Sequence, residues 1–298
     1  MEIWVYLSIS AAIFQTLRFI LQKFLSDTQL GVDGATFSRF IYSAPILMIL
    51  APLWFGYSGY PIVTGNFFIF SAIGGIAQIL ATLCVIALFK QRNFAVGIAF
   101  KKTETLQIAV ISLVILGEKV SINALCAICI GFVGLVLLSK QPLKRSFLEE
   151  GVFSRSVFLG LLSGFLFAIS GVYYRASTLN VLDESSINRA IFTLTFVIVF
   201  QVISMGGWLL LFNRPELKAV WKVRSVAIWV GLTSLAGSFC WFWAFSLVNA
   251  ALVKAVGQIE LLFSILASIV LFKEKITGRE LVGIFTVMLS LIGVIALG

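Results

Sequence analysis

Apolar runs long enough to cross a bilayer follow one another along almost the whole of this 298-residue chain, with only short polar or Gly/Pro-containing connections. A spanning helix needs about 20 apolar residues. The runs divide into ten segments, near 3–25, 35–55, 67–89, 94–116, 122–139, 156–178, 187–212, 226–247, 250–272 and 280–298. With 60% of residues hydrophobic and 12% charged, the chain lies far from soluble domains, which carry about 25% charged residues. This excludes a soluble enzyme, a nucleic-acid-binding domain and a disordered chain. The net charge of +9 reads as basic cytoplasmic loops, and no nucleic-acid partner is expected.

Several absences narrow the chemistry. The chain has no histidine, which removes His-ligated metals, His proton relays and Ser-His or Cys-His nucleophile pairs. Cys84, Cys126, Cys129 and Cys240 all sit inside apolar runs, where cysteine acts as a small hydrophobe. Cys126 and Cys129 form a C-x-x-C without partner ligands, so no metal or cofactor is expected. No Walker A motif is present, so ATP is not hydrolysed by this chain. Met1-Glu2 lacks a basic leader region and the first run is full span length, so it reads as a span.

An internal repeat organises the ten spans. At an offset of 156 residues the third to fifth spans fall on the eighth to tenth without a gap. Cys84 then meets Cys240, Asn93 meets Asn249, Glu104 meets Glu260, Ser112 meets Ser268, and Glu118-Lys119 meets Glu274-Lys275. Charges are scarce here, so three charged coincidences at one offset outweigh chance. The first two spans align loosely, with Arg39 opposite Arg189. Five spans per copy is an odd number, so the second copy enters from the other side of the membrane. The expected fold is an all-α membrane protein of ten transmembrane helices in two inverted five-helix repeats (5+5). The repeats occupy 1–140 and 156–298, joined by a cytoplasmic linker over 141–155. Inverted repeats place a substrate site near the midplane between the halves.

The loops after spans one, three, five, seven and nine carry fourteen Lys and Arg residues, Lys140, Lys144 and Arg145 among them. The opposite face has only Lys119, Arg175 and Arg189. By the positive-inside rule the rich face is cytoplasmic and both ends of the chain are outside.

Together these features resemble the EamA branch of the drug/metabolite transporter superfamily. The resemblance covers the whole chain and includes Gly-Glu-Lys at 117–119, Lys-Glu-Lys at 273–275 and Arg39 early in the second span. It implies a carrier that exports amino acids or other small metabolites; related branches move nucleotide sugars and phosphorylated sugars. It also implies that spans one to four and six to nine line a central cavity, with five and ten packed outside.

An ionisable side chain at mid-membrane costs at least about 2.5–3.5 kcal/mol to insert, so it faces a cavity or a partner. Glu104 and Glu260 each lie about ten residues into their spans, about 15 Å deep at 1.5 Å per residue. They suit a substrate ammonium or a coupling proton, or else permanent pairing with lysine. Lys101 is one turn before Glu104, within reach of an i, i+3 pair. Lys102 points about 100° away from Lys101 and reads either as snorkelling or as a cavity cation for a carboxylate or phosphate. Lys254, one turn into span nine, leans towards snorkelling to the outer surface, but its counterpart is Ile98, and such asymmetry marks specialisation. Arg18 keeps its charge and must meet an acid or an anionic ligand, with Gln15 on the same face. Arg39 and Arg189 read as structural anchors. Gln78, Gln107 and Gln258 offer amides to a polar ligand or a neighbouring helix. Trp241-Phe242-Trp243 could supply an aromatic wall, with Trp243 the candidate.

The expected function is a secondary transporter for an amino acid or related zwitterionic or anionic solute, working by alternating access and exporting across a bacterial cytoplasmic membrane. A multidrug exporter of lipophilic organic cations is the alternative. A channel would need a polar stripe that no span shows, and an intramembrane enzyme lacks a nucleophile-base pair. A small-molecule solute and membrane lipid are the expected partners, with a homodimer left open.

Overall fold

A computed structural model describes residues 2–90, 98, 101–138, 155–272 and 278–297. Asn93, the linker over 141–154 and the Lys-Glu-Lys at 273–275 lie outside the described residues. Among those described, the chain is almost entirely helical, and seven helical stretches are long and apolar enough to cross a membrane. Two further apolar helices, Glu104–Leu116 and Ile122–Gly134, are shorter.

The chain runs through α1 (Ile3–Thr28), α2 (Val32–Ile41), α3 (Ala44–Ser58), α4 (Asn66–Phe89), α5 (Glu104–Leu116) and α6 (Ile122–Leu138). It continues through α7 (Arg155–Leu179), α8 (Ser186–Phe212), the short α9 (Arg214–Lys222), α10 (Arg224–Leu247) and α11 (Ala250–Val256). A 3-10 turn over Gly257–Ile259 leads into α12 (Glu260–Phe272), and α13 (Gly278–Leu297) closes the described chain.

Three of the apolar runs are not single helices. The second is interrupted at Tyr42-Ser43, between α2 and α3. Pro45 has no N–H and its ring opposes the carbonyl four residues earlier, so α-helical pairing stops there. Ser43 Oγ shares its donor between Arg39 O at 2.6 Å and Gly231 O at 2.8 Å, tying the break to α10. Gly231 has to be glycine here, because a Cβ would stand 2.5 Å from Tyr42 Cβ. The other two interruptions come just before Glu104 and Glu260, where unbroken helices over 94–116 and 250–272 were expected.

Helix packing follows the repeat. The closest pairs are α4 with α7, α1 with α10, α6 with α13, and α5 with α7. Exchange of the two copies turns the third-with-sixth pair into the eighth-with-first pair and returns the fifth-with-tenth pair to itself. Two-residue strands β1 (Ile62–Val63) and β2 (Val181–Leu182) pair antiparallel, joining the connections after the second and sixth runs.

Polarity is distributed inside out. The outer surface exposes Leu50, Leu53, Ile69, Val114, Leu211 and Phe212, whereas Gln15, Arg18, Arg39, Glu104, Gln201 and Glu260 are buried. Such a surface finds its solvent in lipid tails, and backbone polar groups inside it must pair within the protein.

Candidate functional site

The two breaks build the site. Lys101-Lys102-Thr103 precedes α5, and Gly257-Gln258-Ile259 precedes α12, at the repeat offset of 156 residues. At the first, Thr105 N bonds to Lys102 O at 3.2 Å, a three-residue step tighter than an α-helical turn. At the second, the 3-10 turn contains the Gly257 carbonyl, which accepts from Lys102 Nζ at 2.6 Å. Each glutamate is thereby the first residue of a helix, where the positive end of the helix dipole favours a carboxylate. Discontinuous helices of this kind are a usual source of midplane ligand groups in transporters.

The two carboxylates have different surroundings. Glu260 is saturated: Lys101 Nζ lies 2.9 and 3.3 Å from its oxygens, Lys102 Nζ 2.6 Å, and Gln15 Nε2 donates to it at 2.8 Å. Gln15 is itself oriented by Trp241 Nε1, which donates to Gln15 Oε1 at 3.1 Å. Glu104 has ion-pair contacts with Lys101, Lys102 and Lys254 at 3.6, 3.9 and 3.8 Å. Neither of its oxygens accepts a hydrogen bond among the described residues. Aromatic rings complete the setting: Lys101 Nζ sits 5.1 Å from the centroids of both Phe19 and Phe167, and Lys254 Nζ stands 4.3 Å over Trp241.

Two readings of lysine geometry are corrected by these contacts. Lys102 does not snorkel; it is buried and reaches the same carboxylate as Lys101. Lys254 is 5% exposed and bound to the interior, not directed to the outer surface.

A second polar group lies alongside. Arg39 donates through Nε to Ser234 Oγ at 3.0 Å, Nη1 to Thr82 Oγ1 at 3.1 Å and Nη2 to Ser238 Oγ at 3.4 Å. Arg18 stacks on Phe19 at 4.2 Å, lies within the fields of Arg39, Glu260 and Glu104, and has an Nη1 without a hydrogen-bond partner. Gln78 accepts from Tyr174 Oη and from Gln201 Nε2, both at 3.0 Å.

Gln15, Gln78, Ser170, Tyr174, Trp241 and Lys254 line a central cavity of about 10 Å³, room for roughly one water. A groove of about 750 Å³ between α3, α8 and α10 is larger but has no charged lining residue. The chemistry is concentrated around the small central space.

Of the expected site residues, Glu104, Glu260, Lys101, Lys102, Lys254 and Gln15 come together, and Arg18 and Gln78 border them. Gln258 and Trp243 do not join them. Gln258 turns towards Gly131 of α6, where an added Cβ would stand 2.5 Å from its Oε1. Trp243 donates to Ser186 Oγ at 3.1 Å. Trp241 takes the place foreseen for Trp243, and the spacing contained the signal. Ser234, Ser238, Trp241 and Phe245 recur at helical intervals on one face, while Trp243 is two residues round. Tyr174, Gln201, Ser234 and Ser238 were not foreseen, since single hydroxyls and amides in apolar runs carry little pattern.

The Gly-Glu-Lys segment also acquires a physical basis. Gly117 ends α5 with φ +66°, a left-handed conformation that favours glycine. The chain turns there so that Glu118 meets Arg175 Nε at 2.9 Å and Ser112 Oγ at 3.0 Å.

Helices that hide their charges at mid-membrane and expose leucine outside define an integral, multi-pass membrane protein with a central polar site. The EamA-like transporter family matches residues 2–140 and 154–296, nearly all of both repeats, and the chain belongs to that family. A solved crystal structure matches with a TM-score of 0.67 at 13% identity, covering 99% of this chain and 96% of that one, a likeness that shows the fold alone. No curated protein matches the sequence. The family establishes a membrane transporter of small solutes.

Proposed function

We propose that the protein is a secondary transporter for a small zwitterionic or anionic metabolite, amino acids included, with ten spans in two inverted halves that alternate access to a midplane site. The observation that carries this reading is the sign of the buried charge. Among the described residues, Arg18, Arg39, Lys101, Lys102 and Lys254 are buried against two carboxylates, Glu104 and Glu260. A site selected for organic cations would have the reverse balance. The cage for a cation is also already filled, because Lys254 occupies the face of Trp241 and lysines surround both glutamates.

The small size of the central cavity supports an occluded arrangement. Opening requires the halves to separate at α1–α10 or α4–α7, pairs that the repeat exchanges. The basic loops support external chain ends, and the family likeness supports export across a bacterial cytoplasmic membrane.

The test is a thermal-shift and counterflow screen on the purified full chain, comparing amino acids and organic anions with lipophilic cations. Stabilisation and exchange by zwitterions or anions, lost in Arg18→Ala or Lys101→Ala, are expected. Stabilisation by cations alone, lost in Glu104→Gln, would overturn the reading in favour of a drug exporter.

A further inference from the structure

Resting on that reading, we propose that the cargo is an organic dianion, carrying two carboxylates or a phosphate ester, and that the unmatched buried cations Arg18, Arg39 and Lys254 are what recognise it.

The inference starts from which charges already have partners. Seven ionisable residues with formal charge at neutral pH are buried among the described residues: five cations and two carboxylates, a surplus of three positive charges. Buried charge without a counter-charge is costly, because desolvation is then not offset by attraction. Lys101 and Lys102 are matched, since both contact Glu260 within 3 Å. The remaining cations are poorly matched. Lys254 Nζ has one acid, Glu104, at 3.8 Å and makes no hydrogen bond among the described residues. The hydrogen bonds of Arg39 go to three hydroxyls, all neutral. Arg18 has an unpartnered Nη1 and no acid within ion-pair distance among the described residues.

Of the unmatched cations, Lys254 lines the central cavity, Arg39 reaches its wall through shared partners, and Arg18 lies in the field of Arg39 and both glutamates. Lys254 and Ser238 both line the central cavity. Ser238 accepts from Arg39, and Thr82, another Arg39 partner, donates to Gln78 O, whose residue is also in the lining. Cation sites thus approach the cavity from α11 on one part of its wall and from α2 through α10 and α4 on another. A solute with one negative charge neutralises one of three surplus charges. A dianion neutralises two and can engage both parts of the wall.

A zwitterion fits less well. Its ammonium would need a carboxylate, but Glu260 is saturated and three lysines surround Glu104. The amide oxygen of Gln15 is taken by Trp241, and that of Gln78 by Tyr174 and Gln201. The Glu104 oxygens accept no hydrogen bond among the described residues, but three lysine ammonium groups within 4 Å of them repel a fourth. This narrows the proposed cargo from zwitterions and anions to anions with two charges.

The experiment uses the full-length protein, purified and reconstituted in liposomes, with binding read by thermal shift and transport by counterflow. Succinate, malate, 2-oxoglutarate, glycerol 3-phosphate and phosphoenolpyruvate form the dianion panel. Propionate, lactate, alanine and glutamine form the comparison panel. At least one dianion should bind ten-fold or more tightly than every comparison solute, and the dicarboxylate and phosphate arms separate the two sources of charge. In Lys254→Gln that preference should fall by ten-fold or more, towards the affinity of monoanions. Arg39→Gln should do the same, and Lys254→Gln reads the effect alone if the arginine variant fails to fold. Alanine or propionate binding as tightly as every dianion would overturn the dianion while leaving a metabolite carrier. Binding and counterflow of lipophilic cations alone would overturn both.

Discussion

Glu104 and Glu260 occupy equivalent positions in the repeat, yet their removal should have unequal consequences. Glu260 accepts hydrogen bonds from Lys101, Lys102 and Gln15, and hydrogen bonds to charged groups contribute about 1.5–3 kcal/mol each. These bonds converge on one oxygen, Oε2, so a glutamine carbonyl can replace the acceptor but not the charge that two buried lysines share. Removing the charged partner of a buried pair costs about 3–5 kcal/mol. Among the described residues, Glu104 accepts no hydrogen bond and its lysine contacts are all 3.6 Å or longer. Its Coulombic attraction is set against the desolvation of a buried carboxylate, and Glu104→Gln should cost about 1 kcal/mol. At roughly 2 °C per kcal/mol for a chain of this size, Glu260→Gln should lower the melting temperature by about 6–10 °C and Glu104→Gln by about 2 °C. Both are measured by tryptophan fluorescence or thermal shift in the same detergent. Equal losses in the two variants would refute the claim that the pseudo-symmetric carboxylates have diverged into a structural and a free one.

Gly164→Ala should lose about 1–3 kcal/mol, because its Cβ would stand 2.3 Å from Thr103 Oγ1 and 3.1 Å from both Glu104 N and Lys101 O. Gly207→Ala, which meets nothing within 4 Å, is the control, and similar melting temperatures for the two would count against close packing of α7 on the break. Gly117→Ala should cost about 1–2 kcal/mol from its left-handed φ alone, without changing solute affinity; a loss of binding would show that this cap reaches the site. Alkaline phosphatase fused after residue 298 should be active and a fluorescent protein there dark; the opposite pattern would reverse the proposed orientation.

Scarce letters were the legible ones. Glu104, Glu260 and the Glu-Lys pairs stood out at one offset because charges are rare in this chain, and the i, i+3 approach of Lys101 to Glu104 follows from helix geometry alone. Contacts across the repeats were not legible in the same way. Lys101 and Lys102 both turn to Glu260, far along the chain, and no periodicity within one span points there. The misplacement of Trp243 has a simpler cause, since adjacent aromatics were treated as one feature although helical rotation sends 241 and 243 to different faces.

The breaks before the two glutamates were illegible for a reason that bears on how the site works. Lys, Thr, Gln and Ile are all tolerated inside helices, so Lys101-Lys102-Thr103 carries no stop signal, and its counterpart carries only Gly257. Inside a membrane, however, a broken helix has backbone groups that water cannot satisfy. The Gly257 carbonyl pairs with the Glu260 N–H and also accepts from Lys102, which contacts the Glu260 carboxylate as well. Lys102 thereby ties the two breaks together, and without it the Gly257 carbonyl would lose its ammonium donor and Glu260 one of its two lysines. A charged midplane site in this chain is built from paired departures from helicity, each held in place by the charges of the other half.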